Sequence, residues 1–135
     1  MYNHILIPVA PDHSGSAGKA LEIARALLAE KGKITALTII EDIPAYVASQ
    51  IPDSQLDKTR SEIAEQLNAD LGNEDGVTTR VIMGHSANTI LEEATDLGAD
   101  CIIISSHRPG LADYFLGSTA ARVVRHAQCA VHVIR

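Results

Sequence analysis

The strongest constraint in this sequence is an alternation. Five short runs of branched apolar residues are separated by four stretches that read as helices or as helices with a leading loop. Ile5-Leu6-Ile7-Pro8-Val9-Ala10 is the first run. Apolar at consecutive positions, it has no polar face, which predicts a strand buried on both sides, as in a parallel sheet. Pro11-Asp12-His13-Ser14-Gly15 is a turn cluster. After it, Ala20, Leu21, Ala24, Leu27 and Leu28 recur at helical spacing within Ala17 to Lys31, and Lys31-Gly32 marks the expected stop. Lys33 to Ile40 is a second buried strand.

Glu41 to Ser54 holds Pro44 and Pro52 and no steady period, so it reads as a long surface loop with a helical turn around Tyr46 to Gln50. Leu56, Ile63, Leu67 and Leu71 then form one face of an amphipathic helix. Val77 to Met83 is a third strand, ended by Gly84. Ser86 is placed to cap a helix carrying Ile90, Leu91, Ala94 and Leu97, with Gly98 as its stop. Cys101 to Ile104 is a fourth strand; a connection from Ser105 to Leu116 leads to a short helix opened by Gly117-Ser118-Thr119. Ala130 to Ile134 is the last strand.

Strand–helix repeated four times, then a strand, predicts an α/β fold: a doubly wound, five-stranded parallel sheet with helices on both faces. At 135 residues the chain is expected to form one domain, residues 1–135. In such sheets ligands bind outside the strand C-termini, where the strand order switches direction. With order 3-2-1-4-5 the crevice opens between strands one and four, lined by Ala10 to Asp12 and by Ser105 to Gly110.

Composition narrows the ligand. Aromatics are only 3% of the chain, too few for a base-stacking platform, and a formal charge of −6 repels phosphate backbones and anionic lipids. Nucleic-acid and membrane-surface roles therefore lose weight. No run is long enough to span a membrane and no apolar signal core precedes the first strand, so the chain reads as cytoplasmic. Cys101 and Cys129 sit in apolar runs without CxxC spacing, which predicts buried thiols, not a disulfide or a zinc site. The six histidines show no HExxH or paired ligand spacing. Gly84-His85-Ser86-Ala87-Asn88 misses the GxSxG nucleophile elbow at its last position. Neither the Walker motif nor the GxGxxG dinucleotide fingerprint is present.

What remains is the region after strand four. Ser105-Ser106-His107-Arg108-Pro109-Gly110 and Gly117-Ser118-Thr119-Ala120 combine glycines, hydroxyls, a guanidinium, an imidazole and a helix start. Glycine lets main-chain N–H groups approach an oxyanion, and helix N-termini attract negative charge. Two readings fit: a phosphate cradle, or a turn at Gly110 and a helix cap at Ser118 or Thr119. Asp12 likewise suits ribose hydroxyls or a divalent cation, or the cap of the first helix.

The start Ile5-Leu6-Ile7-Pro8-Val9, then Asp12-His13-Ser14, then Gly84, and the ending Gly117-Ser118-Thr119-Ala120-Ala121-Arg122-Val123-Val124-Arg125-His126-Ala127 through Val131 resemble the universal stress protein family over nearly the whole chain. The resemblance implies an adenine-nucleotide-binding domain of the adenine nucleotide alpha hydrolase-like kind, with order 3-2-1-4-5. Its usual signature is Gly-x2-Gly-x9-Gly-[Ser/Thr]. Here Ser105 replaces the first Gly, the second is absent and the loop is one residue shorter; Ser106-His107-Arg108-Pro109-Gly110 is similar to an ATP-binding variant branch. Carried over by position, Pro8, Val9, Ala10 and Ile39 flank adenine and Asp12 meets the ribose. Gly84, Ser106, His107, Arg108, Pro109, Gly110, Leu111, Gly117, Ser118, Thr119 and Ala120 surround ribose and phosphates.

The resemblance implies ATP with Mg as cofactor, and a homodimer through the last strand, with tetramers left open. Ala130, Val131, His132, Val133 and Ile134 form a terminal strand whose free edge would pair with a symmetry mate. The implied role is a nucleotide-dependent stress-response switch acting on a regulated protein, a transporter or an enzyme. The alternatives are an interaction module without nucleotide and a slow ATPase, since no general base is evident.

Overall fold

The computed structural model describes residues 1–11, 17–41, 44–106 and 116–135. The strands are β1 (Tyr2–Pro8), β2 (Leu28–Ile40), β3 (Val77–Met83), β4 (Cys101–Ser105) and β5 (Ala130–Ile134). They form one sheet in the order β3-β2-β1-β4-β5, every pair parallel. The helices are α1 (Ala17–Leu27), α2 (Ala45–Ala48), α3 (Asp53–Leu67), α4 (Ser86–Leu97) and α5 (Ser118–His126). This is the expected doubly wound architecture.

β1 is central, and the continuous apolar run is explained by its burial: Ile5, Leu6 and Ile7 are at most 1% exposed. Successive side chains point to opposite faces. Ile5 and Ile7 pack with Ala20, Leu21 and Ala24 of α1 and with Leu67 and Leu71. Leu6 and Ile102 pack with Ile90 and Ala94 of α4 and Ala120 and Val123 of α5. Each buried Leu or Ile contributes about 1.5–3 kcal/mol by leaving water. The two layers are thus glued through one strand.

Three local expectations are corrected. α1 ends at Leu27, not Lys31, because Leu28 already pairs with Tyr2 of β1. The register then jumps to His4↔Lys33, so several residues of β2 bulge out. Gly32, expected as a helix stop, lies in that bulge, where a Cβ would stand 2.5 Å from Leu28 Cδ1. Within Glu41–Ser54 the expected helical turn is α2, but α3 already begins at Asp53, inside the stretch read as loop. Ser86 is the first residue of α4 and caps nothing; His85 holds the cap position, without a side-chain bond.

Other signals hold. Gly98 ends α4 in left-handed geometry (φ 67°, ψ 33°), and Gly98 and Ala99 N–H groups return to the carbonyls of Thr95 and Ala94. Leu67 and Leu71 are buried, the latter inside a π turn (Asn68–Gly72) that continues α3. Cys101 is a buried free thiol as expected, whereas Cys129 is free but only half-buried. Cys101 belongs to the α1 face and Cys129 packs against the α4–α5 face, so the sheet separates them.

Candidate functional site

Because all strands are parallel, their C-terminal ends line one edge of the sheet, and the sequence-derived site residues in the described segments lie there. Pro8 closes β1 opposite Leu37 of β2. Val9 continues it: its N–H donates to the Leu37 carbonyl (2.8 Å), and its own carbonyl accepts from the Thr38 hydroxyl (3.0 Å). Thr38 is buried, so this second bond holds the mouth of β1 to β2 without solvent. Ala10 is exposed beyond it. The Val9 side chain belongs to the α1-side core and Ile39 to the α4-side core.

β4 is prolonged by one residue. Ser106, 7% exposed, donates its N–H to the Ile134 carbonyl (2.9 Å), and its hydroxyl donates to the same oxygen (3.2 Å). The hydroxyl expected to face phosphate thus has its hydrogen committed to β5, and only its lone pairs remain.

The chain leaves the described segments at His107 and returns at Leu116. Gly117 then comes back against its starting point: a Cβ there would lie 3.4 Å from the Ser106 carbonyl oxygen. Gly117 is the residue before α5 (φ −59°, ψ 153°) and offers no side-chain cap. Its carbonyl accepts the first helical bond, from Ala121 N–H (2.8 Å), so the N–H groups of residues 118–120 precede the helical ladder. The alternative reading, in which Ser118 or Thr119 is the cap, does not hold. Neither hydroxyl has a protein partner among the described residues. Ala120 is 2% exposed and packs into the α4–α5 core.

Gly84 stands farther along the same edge, after β3. Its N–H donates to Ile40 (3.0 Å), and a Cβ there would fall 2.5 Å from Thr89 Oγ1. Glycine is needed for this close approach to α4. One neighbour was missed from sequence: Glu41 Oε1 accepts from Ser86 Oγ at 2.8 Å, tying the exit of β2 to the start of α4. The carboxylate just past β2 was the available signal, but its partner lies 45 residues on, at the start of α4.

The expectations for Asp12, His107, Arg108, Pro109, Gly110 and Leu111 lie outside the described residues. Among the described residues no group of three or more His, Cys, Asp or Glu side chains could hold a metal ion. No described helix is long and apolar enough to cross a membrane. β5 is the sheet's edge: it pairs with β4 on one side only. Its Ala130 and His132 are exposed, while Val131 and Val133 are half-buried against the α5 face.

A family model described as the universal stress protein family matches residues 1–135. The chain belongs to the universal stress protein family. Universal stress protein G of Shigella flexneri is 37% identical over 59 residues, which is 44% of this chain and 42% of its own length. The Salmonella typhimurium protein of that name is 28% identical over 145 residues, covering both chains fully, and a Thermus aquaticus relative is 30% identical with full coverage of both. Among solved structures, MJ0577 superposes with a TM-score of 0.77 at 27% identity, covering 99% of this chain and 96% of its own. UspA of Lactobacillus plantarum gives 0.71 at 25%, covering 99% and 98%. Two more distant members of this universal stress protein's fold were solved with ligands. One holds cAMP (TM-score 0.64, 18% identity, covering 99% and 97%). The other, from Archaeoglobus fulgidus, holds dAMP (0.62, 17%, covering 99% and 98%).

Proposed function

We propose that this universal stress protein binds an adenine nucleotide, ATP with Mg, at the C-terminal edge of its sheet and uses occupancy to change a surface read by a partner protein. The observation that carries this reading is the closure of Gly117 onto Ser106. It brings the uncapped N-terminus of α5, with the hydroxyls of Ser118 and Thr119, to the mouth of β4. Unpaired N–H groups and the helix dipole there favour an anion. The base would lie against Ile39 and the β1 exit, with Asp12 toward the ribose and His107, Arg108, Pro109, Gly110 and Leu111 around the phosphates. Homologous proteins of this fold with cAMP and dAMP support the nucleotide class.

The partner surface would comprise the connections from Glu41 to Ser54 and from Ser105 to Leu116. The assembly is a homodimer through β5, whose outer edge has no neighbouring strand among the described elements. Calorimetric titration with Mg-ATP tests the reading, against the Arg108→Ala, Gly117→Val double variant. Binding that is absent or only millimolar in the wild type ends it. Sedimentation analysis tests the dimer, and a monomer at micromolar concentration would remove that part.

One observation favours a second reading, an interaction module without nucleotide. The Ser106 hydroxyl is already spent on Ile134, which reduces the donors available to phosphate. Native mass spectrometry of gently purified protein separates the two, since the first predicts co-purifying nucleotide.

A further inference from the structure

At the opposite end of the sheet, the last turns of α4 and α5 flank an open-sided cavity of about 610 Å³. That is within the ~300–1,000 Å³ usual for small-molecule sites. Its floor is apolar: Ala94 and Ile102 are buried, with Ala127 and Cys129 half-buried beside them. Its rim carries Glu92 and Asp96, both exposed. Four residues apart on one helix, they stand on the same side one turn from each other, a repulsive pair. They also sit at the wrong end. The C-terminus of a helix carries partial negative charge and favours bases, yet the last turn of α4 has none.

The third acid of this stretch shows what is missing. Glu93 faces Arg80, whose Nε lies 3.2 Å from Glu93 Oε2. Among the described residues neither Glu92 nor Asp96 has an ion-pair partner. His126, the base on the facing wall, ends α5, where positive charge favours that helix's own terminus. Two unpaired like charges at a negative helix end, beside an apolar hollow, are a local conflict, and such conflicts concentrate at functional sites. Two carboxylates above an apolar floor suit an ammonium carried on an apolar body.

We infer that this cavity binds a small organic cation: a primary amine on an apolar body, its ammonium held by Glu92 and Asp96 and its body laid over Ala94 and Ile102. The site is separate from the nucleotide reading and stands or falls without it.

Cys129 provides the readout, because it lines the cavity while Cys101 is 1% exposed. The full chain is labelled with a maleimide in the presence of n-octylamine or, at matched ionic strength, octanoate, and the modified cysteine is assigned by mass spectrometry. Octylamine is expected to slow labelling of Cys129 at least fivefold and saturably, with octanoate without effect. The Glu92→Gln, Asp96→Asn double variant should lose the protection while keeping its circular dichroism. Ala127→Leu, which fills the hollow and leaves both acids, should lose it as well. Equal protection by amine and carboxylate, no protection, or protection that survives the double variant overturns the inference.

Discussion

Gly117 rests against the carbonyl of Ser106, so the connection between β4 and α5 leaves and re-enters the sheet edge at one point. That closure, more than any single side chain, aims the start of α5 at the β4 mouth. The backbone angles of Gly117 are open to any residue. Gly117→Val is therefore expected to keep the fold, with a melting temperature within a few degrees of wild type. Its added branches would crowd the mouth and weaken Mg-ATP at least tenfold by calorimetry.

His4 ties three elements together at the other end of β1. Its Nδ1 lies 3.1 Å from the Leu97 carbonyl and its Nε2 lies 2.7 Å from Thr35 Oγ1. A carbonyl only accepts, so in the neutral ring Nδ1 carries the hydrogen and Nε2 accepts from Thr35. Thr35 is 4% exposed. Removing the ring leaves a buried hydroxyl without its acceptor, at about 1–3 kcal/mol. Urea unfolding of His4→Ala should show that loss, and adding Thr35→Val should restore part of it.

Asp100 links acid sensitivity to the same corner. Burial pushes its carboxyl up, but N–H groups of Asn3, His4 and its own residue, together with the charge of His4, outweigh this and hold it below the ordinary 3.8. The carboxylate accepts from Asn3 N–H (2.9 Å) and His4 N–H (3.0 Å). A depressed folded value means stability that is complete above the unfolded value and lost as pH falls through the lower folded one. Asp100→Asn should therefore be less stable than wild type at neutral pH. The gap should narrow as pH falls below the ordinary 3.8 and close once the folded carboxyl is protonated, read from denaturant midpoints across a pH series.

The two thiols should behave as separate, reluctant nucleophiles. Burial, then the nearby Cys129 and Asp100, push Cys101 up to about 11; burial first and Asp100 next raise Cys129. Maleimide should modify half-buried Cys129 well before Cys101, and both slowly at neutral pH. Reductant should leave the melting temperature unchanged. A raised folded value stabilises fully below the unfolded value of 9.0 and is lost toward 11, so Cys101→Ala should flatten the alkaline limb of the stability profile.

The central pair of layers can be probed through Leu6, which is wholly buried. Leu6→Ala should cost about 2–5 kcal/mol in urea unfolding.

Much of this was legible from residue order. Runs with no polar face, such as Ile5-Leu6-Ile7 and Ile102-Ile103-Ile104, leave no option but a strand covered twice, and the helices between them demand parallel pairing. Gly98 announced its left-handed stop because few residues accept that conformation. The errors fall where local signals were overruled from a distance. Leu28 to Lys31 has helical spacing, but Tyr2 offers Leu28 a strand partner. Ser86 has the side chain of a cap, yet Glu41, 45 residues earlier, takes its hydroxyl.

By itself, the sequence determined the alternation of strand and helix and the two buried faces of the sheet. Those follow from short-range periodicity and from the burial that a parallel sheet requires. Only the tertiary structure decided which hydroxyls are free. Ser106 turns out to be bound to Ile134, Ser118 and Thr119 not to be caps, and Glu92 and Asp96 to flank a hollow. Hydrogen bonds and cavities depend on which distant groups meet, and the spacing along a chain does not encode that meeting.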